Sequence, residues 1–330
     1  EKLSPWLEGS KPVTEMSGIE TPFGPKKFVY LIQSSNPRVD RRLTNSADRD
    51  ILHLCFKEGC EVKGIPPEDF VIRPDISWTE GRNELLNFAI ERSKKGRSYV
   101  YYVFADDDVL DMIVGKSPWE DFESWLLLKQ PAVGYITDAT TTQKNRKNGA
   151  PFNIDAILNA FHRTTIGSLL PYDTTMDEQS IYFSQYIMNV AVATMFASRR
   201  IGNDDLKFND ALNNHNKDND KYRRSSKWSL VKKYMDTVFN RGTRMQAAID
   251  LVNCDSLKSN NFCQYKLCTT KQNVSSAISE DWINHNMNVG HPFVRQRLLF
   301  LQEHADFVKP LQFSVFRAIS ADPKTNESCN

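Results

Sequence analysis

Residues 99–111 read YVYYVFADDDVLD. An aromatic, β-branched run of this density favours an extended strand. With no polar residue at alternate positions, it fits a strand buried on both faces, as in a parallel sheet. Three consecutive carboxylates, Asp106, Asp107 and Asp108, then close the run. Acids at the end of a buried strand repel one another unless they meet water, a cation or a ligand. That condition restricts the chain to folds in which such a strand end opens onto solvent or a crevice.

The segments before it point the same way. KKFVYLIQSS at 26–35 is a short apolar run with a polar end, expected as a buried parallel strand. SADRDILHLCFKEG at 46–59 is expected as a helix, with Ser46 as its N-cap and Gly59 as its stop. DFVIRPD at 69–75 is expected as a second strand closed by Pro74, and TEGRNELLNFAIERSKKG at 79–96 as a helix. Leu85, Leu86, Ala89 and Ile90 make one apolar stripe of that helix, and Lys94, Lys95 and Gly96 end it. Alternation of strand and helix implies an α/β fold with a mostly parallel sheet flanked by helices. In such a sheet ligands sit at the carboxyl ends of the strands. The acids at 106–108 reach such an end from the third strand, and Gln33, Ser34 and Ser35 from the first.

Beyond the acids, PAVGYITD at 131–138 is expected as a strand and TTTQKNRKNGAPF at 140–152 as a polar loop. NIDAILNAFHRTTIGSLLPYD at 153–173 reads as a short strand and a helix ended by Pro171, and 177–196 as a long apolar helix or helix–strand mixture. Three regions follow: a stem or linker at 1–25, a main domain at 26–227 with a polar loop from 203, and a mainly helical C-terminal extension at 228–330. There is no internal repeat, P-loop or dinucleotide fingerprint.

The 330 residues carry 42 basic and 41 acidic side chains, which leaves no global field for nucleic acid or an anionic membrane. The longest apolar runs, such as 187–197, are too short to span a bilayer. Six cysteines and two sequons, at Asn273 and Asn326, favour disulfides and glycans in an oxidising lumen, with a reduced cytoplasmic protein as the alternative.

Carboxylates at a strand end suit a hard divalent cation, Mn²⁺ or Mg²⁺, that shares its shell with water and a substrate phosphate. The Asp-x-Asp step puts Asp106 and Asp108 on one side of an extended chain. Such an ion would neutralise a diphosphate leaving group. Arg82 is a suitable partner for phosphate oxygens, since its planar fork binds them in pairs. The alternative is an acidic turn after a buried strand, with Arg82 in an ordinary ion pair.

GRNELLNFAIERSKKGRSYVYYVFADDDV resembles the core of a GT-A glycosyltransferase, a fold that binds nucleotide sugars through a DxD motif. Arg82 and Asn83 match the Arg-Asn pair on the helix before the DxD strand, and FADDDV matches the strand and its acids. The resemblance covers about residues 26–195 and is best at 78–110. It implies transfer of a sugar from a nucleotide-diphosphate donor, with UDP as the commonest nucleotide, to a glycan or glycoconjugate hydroxyl. It implies Asp108 as principal metal ligand, Asp106 on the ribose or the metal, and Asp107 among the nucleotide-sugar contacts or as a spacer. Arg82 and Asn83 would lie near the diphosphate or donor sugar, and Gln33 and Ser34 on the base or ribose. It also implies a Golgi-lumenal protein trimmed from a membrane anchor outside this chain.

An inverting reaction needs a base on the acceptor hydroxyl. Asp177 and Glu178 are the candidates, with Asp173 behind them; helix N-capping is their ordinary alternative. A retaining reaction needs no such base. His215, in an Asn-rich loop, and His162 compete as a third metal ligand. Trp119, in what reads as a loop (KSPWEDF), leads Trp78 and Trp125 as an acceptor-stacking platform. The basic stretch 221–234 reads as a solvated face rather than a nucleic-acid site. Rival functions are a haloacid-dehalogenase-type phosphatase, a nucleotidyltransferase and a non-catalytic carbohydrate-binding relative. The first wants Thr or Val where Leu110 stands, and the second a glycine-rich loop after the first strand.

Overall fold

A computed structural model describes residues 26–136, 156–178, 183–196, 200–203, 207–208, 237–238, 291–292 and 294–296. The loop expected at 140–152, almost all of the polar region from 203, and the stem at 1–25 and nearly all of the helical extension at 228–330 lie outside these residues.

Strands β1 (Phe28–Ser34), β2 (Arg49–Cys55), β3 (Phe70–Ile72), β4 (Tyr101–Asp106), β6 (Val133–Ile136), β7 (Leu158–His162) and β8 (Arg200–Asn203) form one sheet. Its order is β3-β2-β1-β4-β7-β6-β8. The β3-β2-β1-β4 half is parallel throughout. β7 runs antiparallel to both β4 and β6, and β8 is again parallel to β6. The fold is therefore α/β, built on a mixed, mostly parallel sheet flanked by helices. A small ribbon, β5 (Ile113–Val114) with β9 (Lys207–Phe208), lies apart from it.

Helix α1 (Trp78–Lys94) covers one face of the sheet, and α3 (Pro118–Lys129) the other; α2 (Val109–Met112), α4 (Ile166–Leu169) and α5 (Phe183–Phe196) are further α-helices. Strand alternation sorts the side chains between two cores. Val29, Leu31, Tyr102 and Phe104 pack with Leu85, Leu86 and Ala89 of α1 and with Ile187 and Val192 of α5. Phe28, Tyr30, Ile32, Tyr101 and Val103 pack with Trp119, Phe122 and Leu126 of α3. Each such side chain contributes about 1.5–3 kcal/mol when fully buried. Ser77 starts α1 in a reciprocal capping box with Glu80.

Three expectations need correction. Residues 49–55 are not helical but form β2, a strand buried along its whole length. Its polar residues misled the pattern. Arg49 is held by Glu123 at 2.6 and 2.8 Å, which keeps the guanidinium charged although burial opposes it. Asp50 accepts from Lys26, Arg97 and Tyr99 at 2.7, 3.0 and 2.6 Å. The acids accordingly end the fourth strand in chain order, not the third. KSPWEDF is the start of α3 rather than a loop, with Pro118 in its first turn.

His53 is the third buried polar residue of β2, at 5% exposure. Burial lowers its pKa to about 4, against a smaller upward pull from Asp69. The unfolded chain therefore takes a proton near pH 6.5 that the folded chain refuses until about pH 4. Stability is full above pH 6.5 and falls across that window, by about 3 kcal/mol at 1.36 kcal/mol per unit. Urea denaturation of the protein and of His53→Gln at pH 7.5, 5.5 and 4.5 checks this. The variant is expected to lose that share of the slope.

Candidate functional site

Chain direction changes at one place in the parallel half of the sheet. From β1 the chain moves to β2 and β3 on one side, then returns to β4 on the other. At such a point the loops leave in opposite directions and a crevice opens at the carboxyl ends of the two strands. Here those strands are β1 and β4, and Gln33 stands opposite Asp106 in register. The acids of 106–108 and the polar end of β1 thus meet at the switch point.

The N-terminal turns of α1 organise this edge. Arg82, 1% exposed, donates from Nη2 to Asp106 Oδ1 at 2.7 Å and to the Ala156 carbonyl at 2.6 Å. Its guanidinium lies 4.0 Å over the Trp78 ring, and Phe104 and Tyr172 flank it. Burial disfavours its charge, but Asp106 and Tyr172 outweigh that and hold its pKa above the ordinary value. Trp78 Nε1 also donates to Asp106 Oδ1, at 3.2 Å. One oxygen of Asp106 is therefore clasped from behind, while the side chain keeps 29% exposure.

Ser34 donates from Oγ to Asp107 Oδ2 at 2.5 Å and accepts from the Asn36 amide at 2.9 Å. Asp107 is thus fixed to β1 rather than being a bare spacer. Asp108 is half-buried at the start of α2, where its carbonyl accepts from Asp111 and Met112. Gln33 is 5% exposed and lies against Gly81, where an added Cβ would stand 2.7 Å from Oε1. That glycine admits the amide, and a larger residue would expel it. A disulfide, Cys55–Cys60, closes the end of β2 beside Ser34, and the Phe56 amide donates to the Ser34 carbonyl at 3.3 Å.

Asp177 reaches the same helix end. Its Oδ2 accepts from Ser77 Oγ at 2.5 Å. Burial pushes its carboxyl above the usual range; hydrogen bonds from Ser77 and Thr79 pull down, while Glu80 and Asp173 push up. Adjacent residues, Ser77 and Trp78, hold Asp177 and Asp106 respectively, so both carboxyl groups stand at the head of α1. Glu178 is exposed beside it. Asp173 Oδ1 accepts from the Thr175 amide at 2.9 Å, a local turn contact.

Other candidates lie elsewhere. Asn83 spends both ends of its amide on the Tyr172 backbone, at 2.9 and 2.8 Å, so it fastens the 170–173 segment to α1. Trp119 is fully buried and edge-on to Tyr30 at 5.5 Å, which leaves no face for a sugar. Trp125 stacks on Phe122, and His162 bonds to Thr164 and packs on Tyr101. His215 lies outside the described residues.

The donor set is made of carboxylate oxygens, which suits a hard cation. Such ions take one or two carboxylates and fill their shells with water and phosphate. Among the described residues no three His, Cys, Asp or Glu side chains converge as a closed cage. Asp108 and Asp107 fit the duty better than Asp106, whose charge Arg82 already offsets. Sequence reasoning missed Ser77, Thr79 and Tyr172; only the capping box, Ser77 with Glu80, carried a local signal. Among the described residues no helix is long and apolar enough to cross a membrane. No family model and no curated protein matches the chain.

Proposed function

We propose that the protein is a metal-dependent glycosyltransferase of GT-A type that moves a sugar from a nucleotide-diphosphate donor, UDP-sugar by family resemblance, to a glycan or glycoconjugate hydroxyl. The observation that carries the reading is the set of acids 106–108 at the β1/β4 switch point, facing Ser34 and backed by a buried arginine. A crevice of this kind accepts a nucleotide at strand carboxyl ends.

Asp108 and Asp107 would hold Mn²⁺ or Mg²⁺. When bound, that ion supplies charge for the diphosphate leaving group. Asp106, clasped on one oxygen, offers the remaining one to a ribose hydroxyl. Ser34 holds Asp107 in place, and Arg82 offsets the charge of Asp106. Asp177, with its raised pKa, is suited to take the proton of the acceptor hydroxyl. That role makes the transfer inverting. The Cys55–Cys60 disulfide supports a lumenal setting.

Thermal shift with UDP, with and without Mn²⁺, tests the reading. UDP at a hundredfold its Kd is expected to stabilise by about 2.7 kcal/mol only when Mn²⁺ is present. Asp108→Ala is expected to abolish that shift while leaving the unliganded melting point within a few degrees. An equal shift in the variant would sink the metal assignment. A protein indifferent to every nucleoside diphosphate with Mn²⁺, yet active on a phosphate monoester, would sink the transferase.

A further inference from the structure

The outer face of α1 borders an open groove of about 420 Å³, within the size range of ligand sites. One wall is the helix face bearing Glu80, Asn83, Glu84 and Asn87, spaced as i, i+3, i+4 and i+7. The other is the β3–α1 loop, where Arg73, Asp75 and Ile76 line the cavity.

From this groove we infer an oligosaccharide-binding subsite, lying along α1 with its mouth at Asp177. The inference rests on the transferase reading for its role as acceptor site, and on the groove alone for its ligand class. Three observations carry it. First, the polar walls are held before any ligand arrives. Arg73 donates twice to Glu84 Oε1, at 3.1 and 2.8 Å. Glu80 accepts from the Ser77 amide at 3.1 Å, and Asn83 is fixed to Tyr172. Planar groups already ordered lose little entropy on binding, and each keeps spare lone pairs or N–H groups for hydroxyls.

Second, Pro74 and Ile76 place apolar surface among these groups. A sugar ring presents the same combination, hydroxyl edges around a C–H face. The acids outnumber Arg73 in the lining, which disfavours an anionic ligand such as nucleic acid. Third, the groove is electrostatically continuous with the candidate base. Glu80, one of its walls, raises the pKa of Asp177, and Ser77, the cap of the same helix, bonds to it. The stretch from Glu80 to Asn87 spans about 10 Å at 1.5 Å per residue, room for more than one sugar ring.

Asn87 is exposed, lines the end of the groove away from Asp177, and belongs to neither the donor site nor the catalytic groups proposed above. Asn87→Trp fills that end. The probe is a printed array of neutral and acidic oligosaccharides, read beside UDP–Mn²⁺ calorimetry on the same preparations. The parent is expected to retain at least one neutral oligosaccharide. Asn87→Trp is expected to weaken that binding tenfold or more, with UDP affinity unchanged. Equal retention by the variant, or no retention by the parent, overturns the subsite. Binding of spermine or a basic peptide in its place, lost in the variant, also overturns it, since the groove would then read cations. Loss of oligosaccharide in Asn87→Trp from a parent that never binds UDP–Mn²⁺ upholds the groove and fails the transferase reading.

Discussion

Arg82→Met is expected to destabilise the protein by about 3–5 kcal/mol, the scale for breaking a buried ion pair by removing one partner. The guanidinium is enclosed by Trp78, Phe104 and Tyr172, and it satisfies both Asp106 and the Ala156 carbonyl. Methionine fills much of the space but removes the charged donor from Asp106, which keeps the Trp78 indole bond, and from the Ala156 carbonyl. Urea denaturation of Arg82→Met, Asp106→Asn and the double variant gives the coupling directly. A coupling of about 0.5–3 kcal/mol is expected for groups in contact. Additive effects would mean that Arg82 acts through packing and the carbonyl, not through Asp106. UDP–Mn²⁺ affinity is expected to fall as well, because the clasp that orients Asp106 is gone.

Asp177→Asn is expected to lower turnover by about 10²–10⁴, the range for general-base removal, with donor affinity unchanged. The sign of the pH dependence follows from burial, which raises the Asp177 pKa. A base works deprotonated, so the rate rises with pH through that raised value. The acid limb of kcat/KM is therefore expected above the ordinary carboxylate value of about 4. Ser77→Ala removes the hydroxyl that donates to Asp177 and should move the limb higher still, at a cost near 1 kcal/mol for the lost helix cap. An unshifted limb in Ser77→Ala, or full activity in Asp177→Asn, would remove Asp177 from the chemistry.

Local chemistry made some elements legible and hid others. FVYLIQS, the α1 segment and the YYVFAD strand were all readable, because apolar runs and a strong cap leave few alternatives. β2 was not. Ile51, Leu54 and Cys55 carry helical spacing, while Arg49, Asp50 and His53 look solvent-facing. All are buried, and partners from distant segments, Glu123, Arg97 and Tyr99, satisfy the two charged ones. Pattern within one window cannot show such partners. The same reason hid the antiparallel direction of β7, which depends on pairing with β4 and β6. Arg82 and the acids, singled out by resemblance and by their place at a strand end, are brought together by the fold. Trp119 was misassigned because residue type alone does not distinguish a sugar platform from a core ring, and the clamp that Asn83 makes on the Tyr172 backbone had no local signal. Tyr172 acts through tertiary contacts, and so does the Ser77 bond to Asp177, which the local capping box does not foretell.

Among the described residues, the strands at the two ends of the sheet are shorter than β1 and β2 within it. β3 and β8, at the two ends of its order, have three and four residues, against seven in β1 and in β2. At β3 the short margin presents few unpaired amides to another molecule, a guard against edge-to-edge pairing. The hazard is moved inward. FVYLIQS and YYVFAD combine strong strand preference with little charge, the makeup of segments that seed amyloid-like stacks. In the native state each is paired along both sides. Solubility is thus a property of the closed sheet rather than of the chain, and heat that opens the middle of the sheet releases both segments together.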